Sequence, residues 1–173
     1  GATSADWSLI RQAGNHSGWV PSSALQSLKN LSSSEVGCPE QMVLNSKLYT
    51  GVQYRWGGCT AHGIDCSGLV QLLHKLCGIT LPRDADMQFD AGDPVEPPFQ
   101  PGDLLYFGSQ TGKRHITHVG MSLGGWRIIH SSGPRNGVYE DDVQAVSWLR
   151  DRFVGANSFV KRSSRRSFPI AQG

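Results

Sequence analysis

The stretch that most constrains this chain is Gly57-Gly58-Cys59-Thr60-Ala61-His62-Gly63-Ile64-Asp65-Cys66-Ser67-Gly68-Leu69-Val70, because it drives a glycine-rich loop straight into an apolar helix. Leu69, Leu72, Leu73 and Leu76 recur at helical spacing and Gly78 follows Cys77 as a stop, so the pattern predicts a helix from about Asp65 to Cys77. Cys66 falls in its first turn. Unpaired backbone N–H groups and the positive end of the helix dipole favour a thiolate there, which makes Cys66 the candidate nucleophile. A cysteine at a helix start also occurs as inert packing, and the choice between the two depends on a base elsewhere in the chain. Asp65, just before it, suits a helix cap.

A cysteine nucleophile needs a base within hydrogen-bond reach, and the base needs a third group to orient its ring. The chain has six histidines, and two of them, His118 and His130, lie on neighbouring predicted strands, Ile116–Leu123 and Trp126–Ser131. Strand side chains alternate between faces, so a two-residue Gly124-Gly125 loop would set Val119 opposite His130 and put the two imidazoles on opposite sides. An odd loop or a bulge returns them to one side. A three-residue loop or a bulge is therefore predicted here.

Around these elements the chain reads as helices first and strands later, an α+β pattern. Pro39 suits the first position of a helix running through Leu48, and a short helix is predicted near Asp84 to Phe89. Gly92 to Gly102, with Pro94, Pro97, Pro98 and Pro101, reads as a loop. Strands are predicted at Asp103–Phe107 and Arg152–Ala156 in addition to the two that carry histidines. Ahead of all this, Trp7–Arg11 and Trp19–Val20 flank a turn at residues 13–18 and suggest a hairpin. Residues 26–37, with Ser32-Ser33-Ser34, read as a linker. A length of 173 residues suits one domain of ordinary size with a small appendage. The expected division is 1–30, 31–160 and a tail, 161–173.

Charge narrows the function classes. Lys161, Arg162, Arg165 and Arg166 account for four of the sixteen basic residues, which leaves twelve against fourteen acids in the body. A near-neutral body without a basic, aromatic-rich face argues against nucleic acid as a partner. The basic tail reads as a solvated terminus. No run of about 18 apolar residues exists, so no membrane span is expected. The first residues lack the pattern of a signal peptide, so either export is absent or its signal has been removed.

The four cysteines, at 38, 59, 66 and 77, permit two disulfides, but free thiols fit better, with Cys77 in a buried apolar role. Cys59, His62 and Cys66 have offsets that could hold three corners of a zinc site. Cys77 as the fourth ligand would lie about three helical turns, or ~16 Å, from Cys66, far beyond one zinc sphere. Cys38 remains as an alternative fourth ligand, and no metal is expected. His62 is then a loop residue or a rim contact, His74 an exposed residue on the outer face of the helix, and His115 an exposed strand end or cleft lining. Asp103 reads as a turn residue.

The blocks Tyr54-Arg55-Trp56-Gly57-Gly58, Ile64-Asp65-Cys66-Ser67-Gly68-Leu69-Val70, Leu81-Pro82-Arg83-Asp84-Ala85, Pro101-Gly102-Asp103-Leu104-Leu105-Tyr106-Phe107, His118-Val119-Gly120 and Ile129-His130 resemble, in order and spacing, those of the NlpC-type cell-wall peptidases. The resemblance covers about residues 39 to 157. It implies a papain-like α+β fold, with the nucleophile helix packed on an antiparallel sheet, and a cysteine peptidase that cuts the D-γ-glutamyl–diamino acid bond of peptidoglycan stem peptides. By position it implies Cys66 as nucleophile, His118 as base, His130 as the residue that orients it, and Tyr54 beside the oxyanion. Stem peptides or muropeptides would be the partners, no cofactor would be needed, and the setting would be secreted, periplasmic or cell-wall associated, or cytoplasmic if the role is recycling.

Leu81–Ala85 and Asp151–Ala156 look closest to the subgroup with upstream SH3-like modules, in which the positions of Trp56, Asp65, Ser67 and Asp84 help form the substrate pocket. Trp56 could equally be core, and Asp65 could cap, bind or do both. Ala85 stands where that subgroup often has a serine. Gly18-Trp19-Val20-Pro21-Ser22-Ser23-Ala24-Leu25 resembles the closing strands of such a module, whose earlier strands, with the acid that reads the substrate amine, would precede Gly1. Two readings from other classes remain: a silent wall-binding module, and a lipid acyltransferase of the same broad fold. The order Cys before His argues against the latter.

Overall fold

The computed structural model describes residues 3–4, 6–11, 16–25, 39–109 and 115–160. The chain divides into two units, Gly1–Glu35 and Val36–Gly173. The linker predicted at 26–37, Cys38 and the tail at 161–173 lie outside the described residues.

In the first unit, β1 (Thr3–Ser4), β2 (Trp7–Arg11) and β3 (Ser17–Pro21) form an antiparallel sheet in that order. The predicted hairpin is present, with Trp7 opposite Pro21 and Arg11 opposite Ser17. A hairpin alone is marginal in water. Here it gains β1 and a single 3-10 turn, Ser22–Ala24, tied back by Ser22 N–H donating to the Asp6 carbonyl at 2.9 Å.

The second unit opens with α1 (Pro39–Lys47) and a two-residue hairpin, β4 (Cys59–Thr60) with β5 (Gly63–Ile64). The long helix α2 (Cys66–Leu76) follows, then α3 (Ala85–Ala91). Asp65 caps α2, and Gly78 just beyond it takes a φ of 77°, where a side chain would be strained. The remaining strands are β6 (Asp93–Pro94), β7 (Leu104–Gly108), β8 (Ile116–Gly124), β9 (Arg127–Ser132), β10 (Gly137–Asp142) and β11 (Phe153–Ser158), with α4 (Ser147–Arg152) before the last. They make one antiparallel sheet in the order β10-β9-β8-β7-β11-β6.

Both faces of this sheet are covered, which is why Leu104–Gly108 is buried along its whole length. Leu104, Tyr106, Val119, Met121 and Ile129 pack with Met42, Leu69, Val70 and Leu73 of α1 and α2. The alternating residues Leu105, Phe107 and Ile128 pack with Leu149 of α4, Val143 and Phe99. None of the described helices is long and apolar enough to cross a membrane.

Three expectations need correction. Four strands were expected in this half and the sheet has six: β6 lies inside the proline-rich segment read as loop, and β10 was not foreseen. The helix α4 was not foreseen either; its six residues are too few to show a helical period. His74 is fully buried rather than exposed, because the helix repeat places it one turn beyond buried Val70, whose carbonyl meets its Nδ1 at 2.8 Å, and Phe159 closes edge-on over its ring. Burial holds its pKa below the ordinary histidine value.

Candidate active site

The start of α2 is held by a dense local network centred on Asp65. Its Oδ1 accepts the Gly68 N–H at 2.7 Å and its Oδ2 the Gly57 N–H at 2.8 Å. Arg83 grips both oxygens, at 3.1 and 2.7 Å, and also donates to Ser67 Oγ at 2.8 Å. Ser67 Oγ in turn donates to Asp65 Oδ1 at 3.3 Å. The loop and the helix approach so closely that a Cβ on Gly68 would strike the Gly58 carbonyl oxygen. The glycines around Cys66 are thus a packing requirement: they let the loop carry the sulfur to the helix start.

The pairing of the two histidines arises from strand register. β8 and β9 pair from Met121 opposite Ile129 to Gly124 opposite Arg127, with a bulge between Ser122 and Gly124. That bulge is the device that parity required. It puts His118 and His130 on one face, where His118 Nε2 meets His130 Nδ1 at 2.7 Å. Gly120 fills the position opposite His130, and a Cβ there would lie 3.2 Å from the His130 Cβ and 2.8 Å from Ile128 Cδ1.

The relay does not end at His130. Its Nε2 meets Asp141 Oδ2 at 2.8 Å, and Arg135 Nη1 donates to both oxygens of Asp141, at 2.8 and 2.6 Å. The Arg135 guanidinium lies over the Tyr139 ring at 4.0 Å. Asp141 and Arg135 were missed because they sit in a polar segment with little apolar alternation. A turn signal was present in Gly133-Pro134-Arg135-Asn136-Gly137, where Asn136 has a φ of 52° and donates to the Gly133 carbonyl at 3.0 Å. From that turn β10 runs back with Tyr139 opposite His130, which leaves Asp141 one diagonal step from the ring.

The electrostatics correct the expected thiolate. Burial, with a smaller push from the Asp65 carboxylate, takes the Cys66 thiol up to about 11. The backbone N–H groups of Val119, Ser67 and Cys66 point at the sulfur and oppose this, but they are outweighed. His118, packed among the rings of Phe107, His130 and Trp148, is held well below the ordinary histidine value by burial and then by its neighbour His130. Asp141 is kept ionised by its hydrogen bond to His130 and by Arg135. Burial, with Cys66 and Asp65 close by, raises Tyr54 and keeps it a phenol.

Two cavities meet at the sulfur. One of about 410 Å³ is lined by His118, Ser132, Trp148 and Arg152 among others, and one of about 660 Å³ by Trp56, Asp65, Ser67, Arg83, Asp84 and His115 among others. Tyr54, Cys66 and Thr117 border both. The structure therefore brings Tyr54, Trp56, Asp65, Ser67 and Asp84 around Cys66. Trp56 is 87 % exposed and belongs to the cavity rim rather than the core. Asp65 is a cap, but its oxygens are already engaged by Gly57, Ser67, Gly68 and Arg83. Asp103 does serve its turn, accepting the Gln100 N–H at 2.7 Å.

His62 and Cys59 are exposed in and beside the β4–β5 turn, while Cys77 is buried at the far end of α2. Among the described residues, no three histidine, cysteine, aspartate or glutamate side chains gather as a metal site.

A buried thiol at a helix start, bordering one cavity with an imidazole that a second imidazole and a carboxylate hold, on helices packed against an antiparallel sheet, defines a papain-like arrangement. The chain belongs to the NlpC/P60 family, whose model matches residues 51–157. It is 38 % identical over 126 residues to a gamma-D-glutamyl-L-lysine dipeptidyl-peptidase of Bacillus subtilis, a match covering 66 % of this chain and 42 % of that protein. It is 44 % identical over 132 residues to a gamma-DL-glutamyl hydrolase of the same organism, covering 75 % of this chain and 31 % of that one. The chain thus spans less than half the length of either relative. The crystal structure of an NlpC/P60 family protein from Bacillus cereus shares the fold, with a TM-score of 0.79 at 24 % identity over 92 % of this chain and 52 % of that one.

Proposed function

We propose that this chain is a cysteine peptidase that hydrolyses the bond between D-γ-glutamate and the diamino acid of peptidoglycan stem peptides. The observation that carries this reading is the hydrogen-bonded string His118–His130–Asp141, whose first ring lines a cavity together with Cys66. The names of the relatives, which specify γ-glutamyl bonds, supply the bond.

The geometry sets the tautomers. Asp141 is a carboxylate and can only accept, so His130 Nε2 carries a proton and its Nδ1 accepts from His118 Nε2–H. His118 Nδ1 is left as the free base. Because the thiol sits high and the imidazole low, the resting pair is neutral, and the sulfur transfers its proton to His118 Nδ1 as it attacks the γ-glutamyl carbonyl. The imidazolium so formed faces a string that ends in Asp141, which offsets its charge. His118 then delivers the proton to the leaving amine as the C–N bond breaks. A water, deprotonated by the same nitrogen, hydrolyses the thioester and returns Cys66 to the thiol. The N–H groups of Cys66 and Ser67, with the Tyr54 hydroxyl, are the donors for the oxyanion. Trp56, Ser67 and Asp84 would contact the acyl part, while Asp65 fixes the shape of the site. Ala85 brings no hydroxyl to the cavity wall it shares.

This substrate implies a place at the cell wall or wherever its fragments are recycled. Residues 1–30 fit the reading as part of an SH3-like module, supported by the three-stranded sheet.

Digestion of L-Ala-γ-D-Glu-diaminopimelate followed by mass spectrometry tests the proposal. Cleavage by the wild type that vanishes in Cys66→Ala supports it, and peptide left intact by both proteins leaves a wall-binding module. Iodoacetamide labelling of Cys66 should climb steadily toward alkaline pH; a fast plateau at mildly acid pH would instead mean a resting thiolate–imidazolium pair.

A further inference from the structure

The two cavities that meet at Cys66 are not equivalent, and the difference assigns their occupants. The group that protonates the leaving amine must touch it, and His118 lines the cavity of about 410 Å³ but not the one of about 660 Å³. The diamino acid therefore departs through the smaller cavity, and the γ-glutamyl side occupies the larger. Charge divides along the same line. The larger cavity is bordered by Asp65, Asp84 and Asp86 against Arg83, an acid-rich wall suited to an amine. Among the described residues lining the smaller one, Arg152 carries the single permanent charge.

Arg152 is the last residue of α4, and Trp148, one turn earlier on the same helix, lines the same cavity. The next residue, Phe153, begins β11 and packs against Phe107, Phe99 and Trp126, which anchors the base of the arginine stem. A guanidinium so placed is a fork for a carboxylate and repels an ammonium.

Resting on the peptidase reading above, we propose that Arg152 is a specificity residue of the leaving-group side, selecting diamino acids that present a carboxylate there. The carboxylate has two possible sources: the distal carboxyl of diaminopimelate, which lysine lacks, and the α-carboxyl that is free when the stem ends at the third residue.

Four peptides separate these sources: L-Ala-γ-D-Glu followed by meso-diaminopimelate or L-lysine, each with its α-carboxyl free or amidated. The two amides compared with one another isolate the distal carboxyl, and free against amidated lysine isolates the α-carboxyl. In the wild type at least one comparison should favour the carboxylate about tenfold in kcat/KM, fading as salt is added. Arg152→Gln should collapse that ratio, and Arg152→Lys should keep part of it. Ratios within about twofold in both comparisons, or a preference that survives Arg152→Gln, would overturn the assignment. Dissociation constants of the same peptides for Cys66→Ala protein, with and without Arg152→Gln, read the preference without turnover. If the wild type cuts none of the peptides, the peptidase reading falls, and the binding ratios alone decide on Arg152.

Discussion

Two carboxylates near Cys66 and His130 are each gripped by an arginine, Asp65 by Arg83 at 2.7 Å and Asp141 by Arg135 at 2.6 Å. Asp65 is spent on its own surroundings. Its bonds go to the loop and helix that carry Cys66 and to Arg83, which itself donates to Ser67, so it builds the site and has little capacity left for a substrate. Asp141 makes one bond to an imidazole, that of His130, and its arginine is half in solvent, in the turn that leads into the edge strand β10. In the proposed peptidase the same pairing therefore serves stability in one place and proton handling in the other. What separates them is whether the carboxylate faces backbone N–H groups or an imidazole.

The largest expected effect breaks the first pair. Asp65→Ala removes a cap, a bridge to Gly57 and the partner of Arg83, and should cost about 2–4 kcal/mol of unfolding free energy in urea. A loss below about 1 kcal/mol would mean that Arg83 and the glycines hold the loop unaided. Asp141→Asn should act the other way round. An amide can donate to His130 and invert the tautomers, so kcat/KM should fall about 10- to 100-fold with a nearly unchanged urea midpoint. Equal damage to stability and rate would erase the distinction. Gly120→Ala sits between the two, since its methyl would press on Ile128 Cδ1 and on the His130 Cβ, costing about 1–3 kcal/mol and at the same time displacing the His130 ring.

The smallest effect is a pH dependence. His74 and His118 are held below the 6.5 of an unfolded histidine, so as pH falls past that value the unfolded chain takes up protons that the folded one refuses. Their contribution is intact above 6.5 and is lost progressively below it. Asp141, depressed below 3.8, keeps its contribution until far more acid conditions. Urea midpoints should therefore decline between about pH 7 and 5, and His74→Leu should flatten that decline. A midpoint independent of pH over this range would contradict the burial of both rings.

The helix that presents Cys66, its cap at Asp65, the pair of histidine strands and even the need for a bulge between them were legible, because each depends on residues close in sequence and on the fixed periods of helix and strand. Arg83 lies eighteen residues from Asp65, and nothing in its own neighbourhood announces that it closes the Cys66 loop. β10 was hidden for a different reason. This edge strand fully buries only Gly137 and Val138 and carries Glu140, Asp141 and Asp142, so its composition reads as a loop while its register delivers Asp141 to His130. His74 shows the limit of a helical wheel: the wheel orders residues around an axis but does not say how much of the circumference the rest of the protein will cover.

By itself, the sequence determined that a cysteine would sit at the start of a helix and that two histidines could share a face, since local backbone geometry permits little else. Only the tertiary structure decided the protonation of that cysteine. The helix start favours a thiolate, as the sequence implied, but enclosure between Tyr54, Val119 and the sheet removes the water a thiolate needs. Desolvation exceeds the pull of three N–H groups, and the sulfur is held as a thiol.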